Sequence, residues 1–290
     1  MDLLDASSLI FHGIATALKH KKGFLVGRNG TIEMEILLQK YFKHSLLQQN
    51  LLILERNAGV FPATANSVNQ WIEQTKSAIR NTDLLVAGWY SPIAQNELLF
   101  LNSLEKKEPF LPLRALEPYY VPYEQQWSRN LLFRKVAVVS SFAKLAVEQQ
   151  KIAKQIWPDR YDSLLPEAEY IPIETGYAPV LAKGRAGWPE NIETWQDAVD
   201  SLEKQVIDSG AEIVLIGCGG LGMILGHRLK EKGKVCIVMG GAIQVLFGIK
   251  GNRWATHSVI SRFWNDAWVY PPLERTPLGA DSIEGGCYWK

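Results

Sequence analysis

Cysteine is scarce. The 290 residues hold three, Cys218, Cys236 and Cys287, too few and too scattered for a disulfide framework or a Cys-x-x-Cys zinc site. A reducing compartment is the simpler reading. Net charge is almost absent: 31 Lys and Arg against 30 Asp and Glu leave +1. That excludes the broad basic field of a dedicated nucleic-acid binder, so no nucleic-acid partner is expected. No apolar run reaches the roughly 18 residues that a transmembrane helix needs. His12, His20, His44, His227 and His257 show no spacing that zinc uses. No Gly-x-Ser-x-Gly surrounds a serine, which argues against a hydrolase nucleophile. Internal repeats and low-complexity tracts are also missing. At the N-terminus Asp2 and Asp5 precede a short apolar stretch, and the basic residues 19–22 follow it. A signal peptide has the opposite order. The segment reads as an amphipathic helix ending near Gly23, its cations suited to a helix C-terminus. The chain is therefore expected in the cytoplasm, with peripheral contact at the inner face of the membrane as the one membrane role open to it.

What is present is a globular composition, 47% hydrophobic and 21% charged. Short apolar, β-branched runs at 23–27 (GFLVG), 84–88 (LLVAG), 136–140 (VAVVS), 213–217 (IVLIG) and 235–239 (VCIVM) predict strands covered on both faces. Residues 113–116 and 170–173 are weaker strand candidates. Helical patterns lie between them near 31–42, 67–79, 142–156, 193–206 and 221–232. This alternation predicts an α/β class, with a Rossmann-like, mostly parallel sheet and helices on both faces. Residues 1–290 are read as one domain. It has two lobes, 1–175 and 190–290, joined by a Gly, Pro and Ala-rich connection, and an irregular strap after Trp268. Tyr288 and Trp289 are expected to be buried there, and Glu284 is a candidate to fold back over a crevice.

Ligands of such sheets sit beyond the carboxyl ends of the strands, so the residues following each run are the candidates for chemistry. Gly217, Gly219 and Gly222 form G-x-G-x-x-G after a strand and ahead of a helix, with Gly220 inside the turn. Such a turn lets the backbone approach a phosphate on a helix N-terminus. A dinucleotide site also wants an acid at the end of the next strand. Here that strand ends Met239-Gly240-Gly241, and no Asp or Glu occurs between Glu231 and Asp266, so NAD is not expected. Gly240 and Gly241 make a second glycine turn leading to Gln244. Lys250, Arg253 and Trp254 follow in GIKGNRW, where cations beside an aromatic suit a diphosphate next to a base or sugar. Arg28, Asn29 and Gly30 end the first strand; Arg28 is a candidate phosphate clamp. Glu33, one turn into the next helix, suits a divalent metal, a sugar hydroxyl or a general base, or stabilises the helix N-terminus. Trp89 and Tyr90 after LLVAG are candidates to stack on a sugar or base. Glu117 in LEPYY is a candidate base toward an acceptor hydroxyl, with Tyr119 and Tyr120 beside it. Ser140 and Ser141 offer an anion site or an N-cap. Cys218 reads as a small apolar filler, and His227 as packing or surface.

The runs VGRNGTIE, NAGVFP (57–62), LEPYY, QWSRNL, KVAVVSSFA, LIGCGGLGMILGH, GGAIQVLFGIKGNRW and EGGCYW together resemble a bacterial family of glycosyltransferase-like proteins with the GT-D type of fold. They run in the family's order from about residue 23 to 289, and the block 217–254 is the most specific. The resemblance implies transfer of a sugar from a nucleotide-sugar donor, commonly a uridine diphosphate (UDP) sugar. The implied acceptor is a cell-surface glycan, a glycoprotein or a lipid-linked glycan. It also implies a divalent cation, Mn2+ or Mg2+, held by the carboxylates of an R-F-G-D-G-E-like motif on the donor diphosphate. Arg28, Gly30 and Glu33 match that motif, and Thr31 stands where its Asp would be. Glu33 is then the metal candidate. Either another acid replaces the Asp, or Lys250 and Arg253 neutralise the diphosphate without metal. Two other classes stay open: a scaffold that binds nucleotide or glycan without catalysis, and another Rossmann enzyme using a nucleotide cofactor.

Overall fold

The structure is a computed structural model and describes residues 1–283 and 285–290; Glu284 lies outside the described residues. Its frame is one parallel sheet of six strands in the order β2-β1-β6-β5-β3-β4. The strands are β1 (Phe24–Arg28), β2 (Leu84–Val86), β3 (Lys135–Ser140), β4 (Glu169–Glu174), β5 (Ile213–Gly217) and β6 (Val235–Val238). β5 and β6, from after the Gly/Pro-rich connection, lie between β1 and β3, so residues on either side of that connection share one sheet. Pro172 sits in β4, an edge strand, where a missing backbone donor can face away from the ladder.

Successive strand residues point to opposite faces, and two apolar layers result. Val26, Val136, Val138, Ile213, Leu215 and Ile237 face one core. Leu25, Ala137, Val139, Val214, Ile216 and Cys236 face the other. The first core is covered by the helix Leu3–His20, which buries Ile10 and Ile14, by the short helical turns from 113 to 131, and by the C-terminal residues. The second is covered by the helices Thr31–Lys43, Gln48–Ala58, Ala65–Asn81, Trp195–Asp208 and Gly222–Glu231. Thr194 and Asp197 cap the helix Trp195–Asp208 with a reciprocal capping box. No helix among the described residues is long and apolar enough to cross a membrane.

Two expectations are corrected. Residues 113–116 form a 3-10 turn, Leu113–Leu116, not a strand. Pro112 sets its entry, and sheet contact ends one step earlier at the isolated Val86–Leu111 bridge. The helix expected over 142–156 is two, Ala143–Gln150 and Ala153–Ile156, because Ile152 leaves helical geometry at φ −110°, ψ 24°. That break lets Ile156 and Trp157 turn into the first core. The helices Gln48–Ala58 and Ala94–Ser103 were not anticipated.

Leu215 is fully buried on the central strand β5. Leu215→Ala is expected to lower unfolding free energy by about 2–5 kcal/mol. Urea denaturation should show a lower midpoint with an unchanged slope; a loss under about 1 kcal/mol would contradict this packing.

Candidate functional site

Because all six strands run the same way, their carboxyl ends meet along one edge of the sheet. A crevice of about 410 Å³ lies there. Each strand end contributes to its wall: Arg28 at the end of β1, Trp89 after β2, Ser140 and Ser141 at the end of β3, Tyr177 after β4, Gly217 and Gly219 at the end of β5, Gly240 and Gln244 after β6. This is the position at which open parallel sheets bind ligands.

The two glycine turns are packed too closely to carry side chains. Gly219 has φ +57°, and a Cβ there would lie 2.8 Å from the Ala58 carbonyl oxygen. Gly240 has φ +60°, and a Cβ there would collide with the Arg28 guanidinium. Only glycine holds these conformations without strain. The first turn is fixed from below by Trp71, whose buried Nε1 donates to the Gly220 carbonyl at 2.8 Å.

Arg28 is the cation of this corner. Its guanidinium lies 5.4 Å from the Trp89 ring centre, against Gly240. Its Nε is buried without a hydrogen-bond partner among the described residues. Glu33 is buried, and its carboxylate folds back onto Gly30 at the start of its own helix, accepting from its own backbone N–H. Burial raises its pKa above the ordinary 4.5, outweighing that N–H and Arg28, which both lower it. Thr31 lines the crevice beside it. These residues do not fit a divalent cation. The corner holds one carboxyl whose burial disfavours its charged form, next to a guanidinium, and no group of three or more His, Cys, Asp or Glu among the described residues suits a metal.

A second cluster lines the same crevice. Arg114 Nη1 donates to both oxygens of Glu117 at 2.8 and 2.9 Å, and the Tyr119 hydroxyl donates to Glu117 Oε2 at 2.8 Å. Arg114 Nη2 lies 3.2 Å from His257 Nε2. Glu117 is thus a carboxylate already engaged by two donors, and burial holds the Tyr119 hydroxyl protonated. Gln244 is 2% exposed; its Nε2 donates to the Tyr288 carbonyl at 3.1 Å, while its Oε1 is buried without a partner among the described residues. Flipping the amide would set two oxygens against each other, so the unpartnered atom is an acceptor.

Arg28, Gly30, Glu33, Trp89, Glu117, Gly217, Gly219, Gly240, Gly241, Gln244, Arg253 and Trp254 all line the crevice. Arg253 stacks on Tyr288, 4.7 Å from its ring centre. Asn29 is buried behind the lining; Gly220 and Gly222 pack against Val60 and Val238. Tyr90 is exposed outside the lining. Lys250 also lies outside it, its ammonium over the Trp264 and Tyr270 rings at 5.5 and 5.9 Å. Tyr120 covers the Arg114 guanidinium at 4.6 Å. Ser140 Oγ accepts from the Phe142 N–H, and Ser141 Oγ accepts from the Tyr177 hydroxyl. Cys218, pushed up to about 12 by burial, stays a thiol, and His227 Nε2 lies 3.7 Å from Glu231 Oε1, away from the crevice. The strap is anchored by Arg275, which donates to the Ser141 and Thr175 carbonyls. It brings Trp289, 2% exposed, and the half-buried Tyr288 to the crevice.

Sequence reasoning missed Arg56, Asn57, Arg114, Tyr177 and His257. Asn57 opens NAGVFP, a signal that was on view; Arg114 and His257 are 143 residues apart, and no spacing joins them.

No family model matches the chain, and no curated protein matches it significantly. Two solved structures are similar in overall course. One is a selenomethionine-substituted domain of unknown function 1792, at 11% identity and TM-score 0.44, covering 83% of this chain and 82% of that one. The other is described as that domain having "a distinct glycosyltransferase fold", at 10% identity and TM-score 0.40, covering 90% of this chain and 96% of that one. Likeness of this degree carries no weight for activity.

The raised pKa of Glu33 has a signed consequence. The folded chain binds a proton between the unfolded and the folded values, so this group's contribution to stability falls as pH rises above about 4.5 and levels off once the buried carboxyl ionises. Glu33→Gln lacks that dependence. Urea midpoints across a pH series should show the variant gaining on the wild-type chain as pH rises through this window. A difference that is flat, or that grows toward acid, would contradict the placement.

Proposed function

We propose that the chain is a glycosyltransferase that binds a nucleotide-sugar diphosphate, of the UDP class, in the crevice at the strand ends. The observation that carries this reading is the Arg28 corner. A guanidinium with an orphaned Nε is held against an indole and against Gly240, in a crevice whose wall includes both glycine turns. Support also comes from the sequence resemblance and from Gln244, whose unpartnered acceptor suits an N–H or O–H of a base or sugar. In this reading Arg28 and Arg253 stabilise the charge that develops on the leaving diphosphate, and protein cations take the part a metal has elsewhere. Trp89 and Trp254 offer faces to a sugar or base. The acceptor is a hydroxyl of a cell-surface glycan, glycoprotein or lipid-linked glycan. The site of action is the cytoplasm, at the inner face of the membrane, toward which the exposed Lys19, Lys21 and Lys22 point as candidates.

Calorimetric titration with UDP tests this. Micromolar binding is expected, unchanged by adding manganese or chelator, and Arg28→Gln should weaken it about 10- to 100-fold, the worth of a charged hydrogen bond. Full UDP affinity in the variant would place the diphosphate elsewhere. Binding of NAD or S-adenosylmethionine in place of UDP would favour the other Rossmann reading.

A further inference from the structure

The cluster of Arg114, Glu117, Tyr119 and His257 lines the crevice but has no part in the Arg28 corner. His257 Nδ1 faces two backbone donors, the N–H groups of Val259 at 3.2 Å and Ile260 at 3.3 Å. It must therefore accept, and the single proton of the neutral ring sits on Nε2. The other tautomer would set Nδ1–H against two donors at once. Turning the ring over would forfeit both bonds. Nε2–H then points at Arg114 Nη2, 3.2 Å away and itself a donor. Among the described residues neither group has another hydrogen-bond partner. Arg114, whose side chain is 38% exposed, is oriented by both Glu117 oxygens on its Nη1 and by the Tyr120 ring over its plane. Glu117 is held in turn by Tyr119. Two donors 3.2 Å apart without an acceptor repel, and an anionic oxygen beside them that accepts from both relieves this.

We infer that Arg114 and His257 form a second oxyanion seat in the crevice, one that takes a phosphoryl oxygen of a bound ligand. Glu117 and Tyr119 are its positioning residues. The inference deepens the glycosyltransferase reading by assigning a second phosphate contact. The phosphoryl oxygen has two sources, the β-phosphate of the donor or a phosphate on the acceptor.

The test uses the whole chain. Long-range proton–nitrogen NMR should show His257, identified by its loss in His257→Gln, as the Nε2–H tautomer at neutral pH. Adding inorganic phosphate should shift its Nε2 signal. If the seat holds the donor's β-phosphate, Arg114→Gln weakens UDP about 10-fold or more and leaves UMP affinity unchanged. If it holds an acceptor phosphate, Arg114→Gln leaves UDP unchanged but abolishes the phosphate shift in UDP-bound protein. An Nδ1–H tautomer overturns the seat. So does a His257 signal that neither phosphate nor UDP moves, a result needing no variant to fold. Should wild-type protein fail to bind UDP while phosphate still moves His257, the seat stands and the donor reading falls.

Discussion

Parallel alignment of all six strands is the constraint from which the site follows. Each strand ends at the same edge, and each must be followed by a turn there. Six turns converging on one edge are crowded, and the crowding is resolved by residue type. β5 and β6 lie side by side at the centre, and their turns carry Gly217, Gly219, Gly240 and Gly241. The neighbouring β1 ends in Arg28, which occupies the volume that a side chain at Gly240 would need. The cation is thus placed by packing, and the crevice is what remains open above it.

Polar groups around the crevice fall into two sets. One is satisfied within the protein: Glu117 by Arg114 and Tyr119, Ser141 by Tyr177, the Ser141 and Thr175 carbonyls by Arg275. The other is incomplete: Arg28 Nε and Gln244 Oε1 are buried without a partner among the described residues, and Arg114 Nη2 faces His257 Nε2 at 3.2 Å. Buried polar groups are nearly always paired in folded proteins, so the two unserved buried atoms at this crevice point to a ligand that completes them. The incomplete set has two donor corners and one acceptor, a pattern that suits phosphate oxygens together with a base or sugar N–H or O–H.

Much of the frame was legible in the sequence, because strands buried on both faces must be apolar without interruption, as VAVVS and IVLIG are. The 113–116 segment misled because Leu113 and Leu116 look like such a run, while the flanking Pro112 and Pro118 force short turns. At the site, Arg28, Gly219 and Gly240 could be read from local pattern, since each stands at or just after the end of a legible strand. Lys250 could not: its place over Trp264 and Tyr270 goes with the Ile249–Val269 bridge, a contact across short helical turns and loops. The pairing of Arg114 with His257 was hidden for the same reason at a larger separation. Thr31 in the position of an acid was visible from the start, and its meaning emerged only with Glu33 buried and turned back on Gly30.

The most direct test of the central claim is a crystal structure of the chain with UDP and no added divalent cation. The account expects the diphosphate oxygens within hydrogen-bond distance of Arg28 and of the backbone at the β5 and β6 turns, with a base or ribose group donating to Gln244 Oε1. UDP bound away from these strand ends, or a metal-bridged diphosphate held by carboxylates other than Glu33, would contradict it.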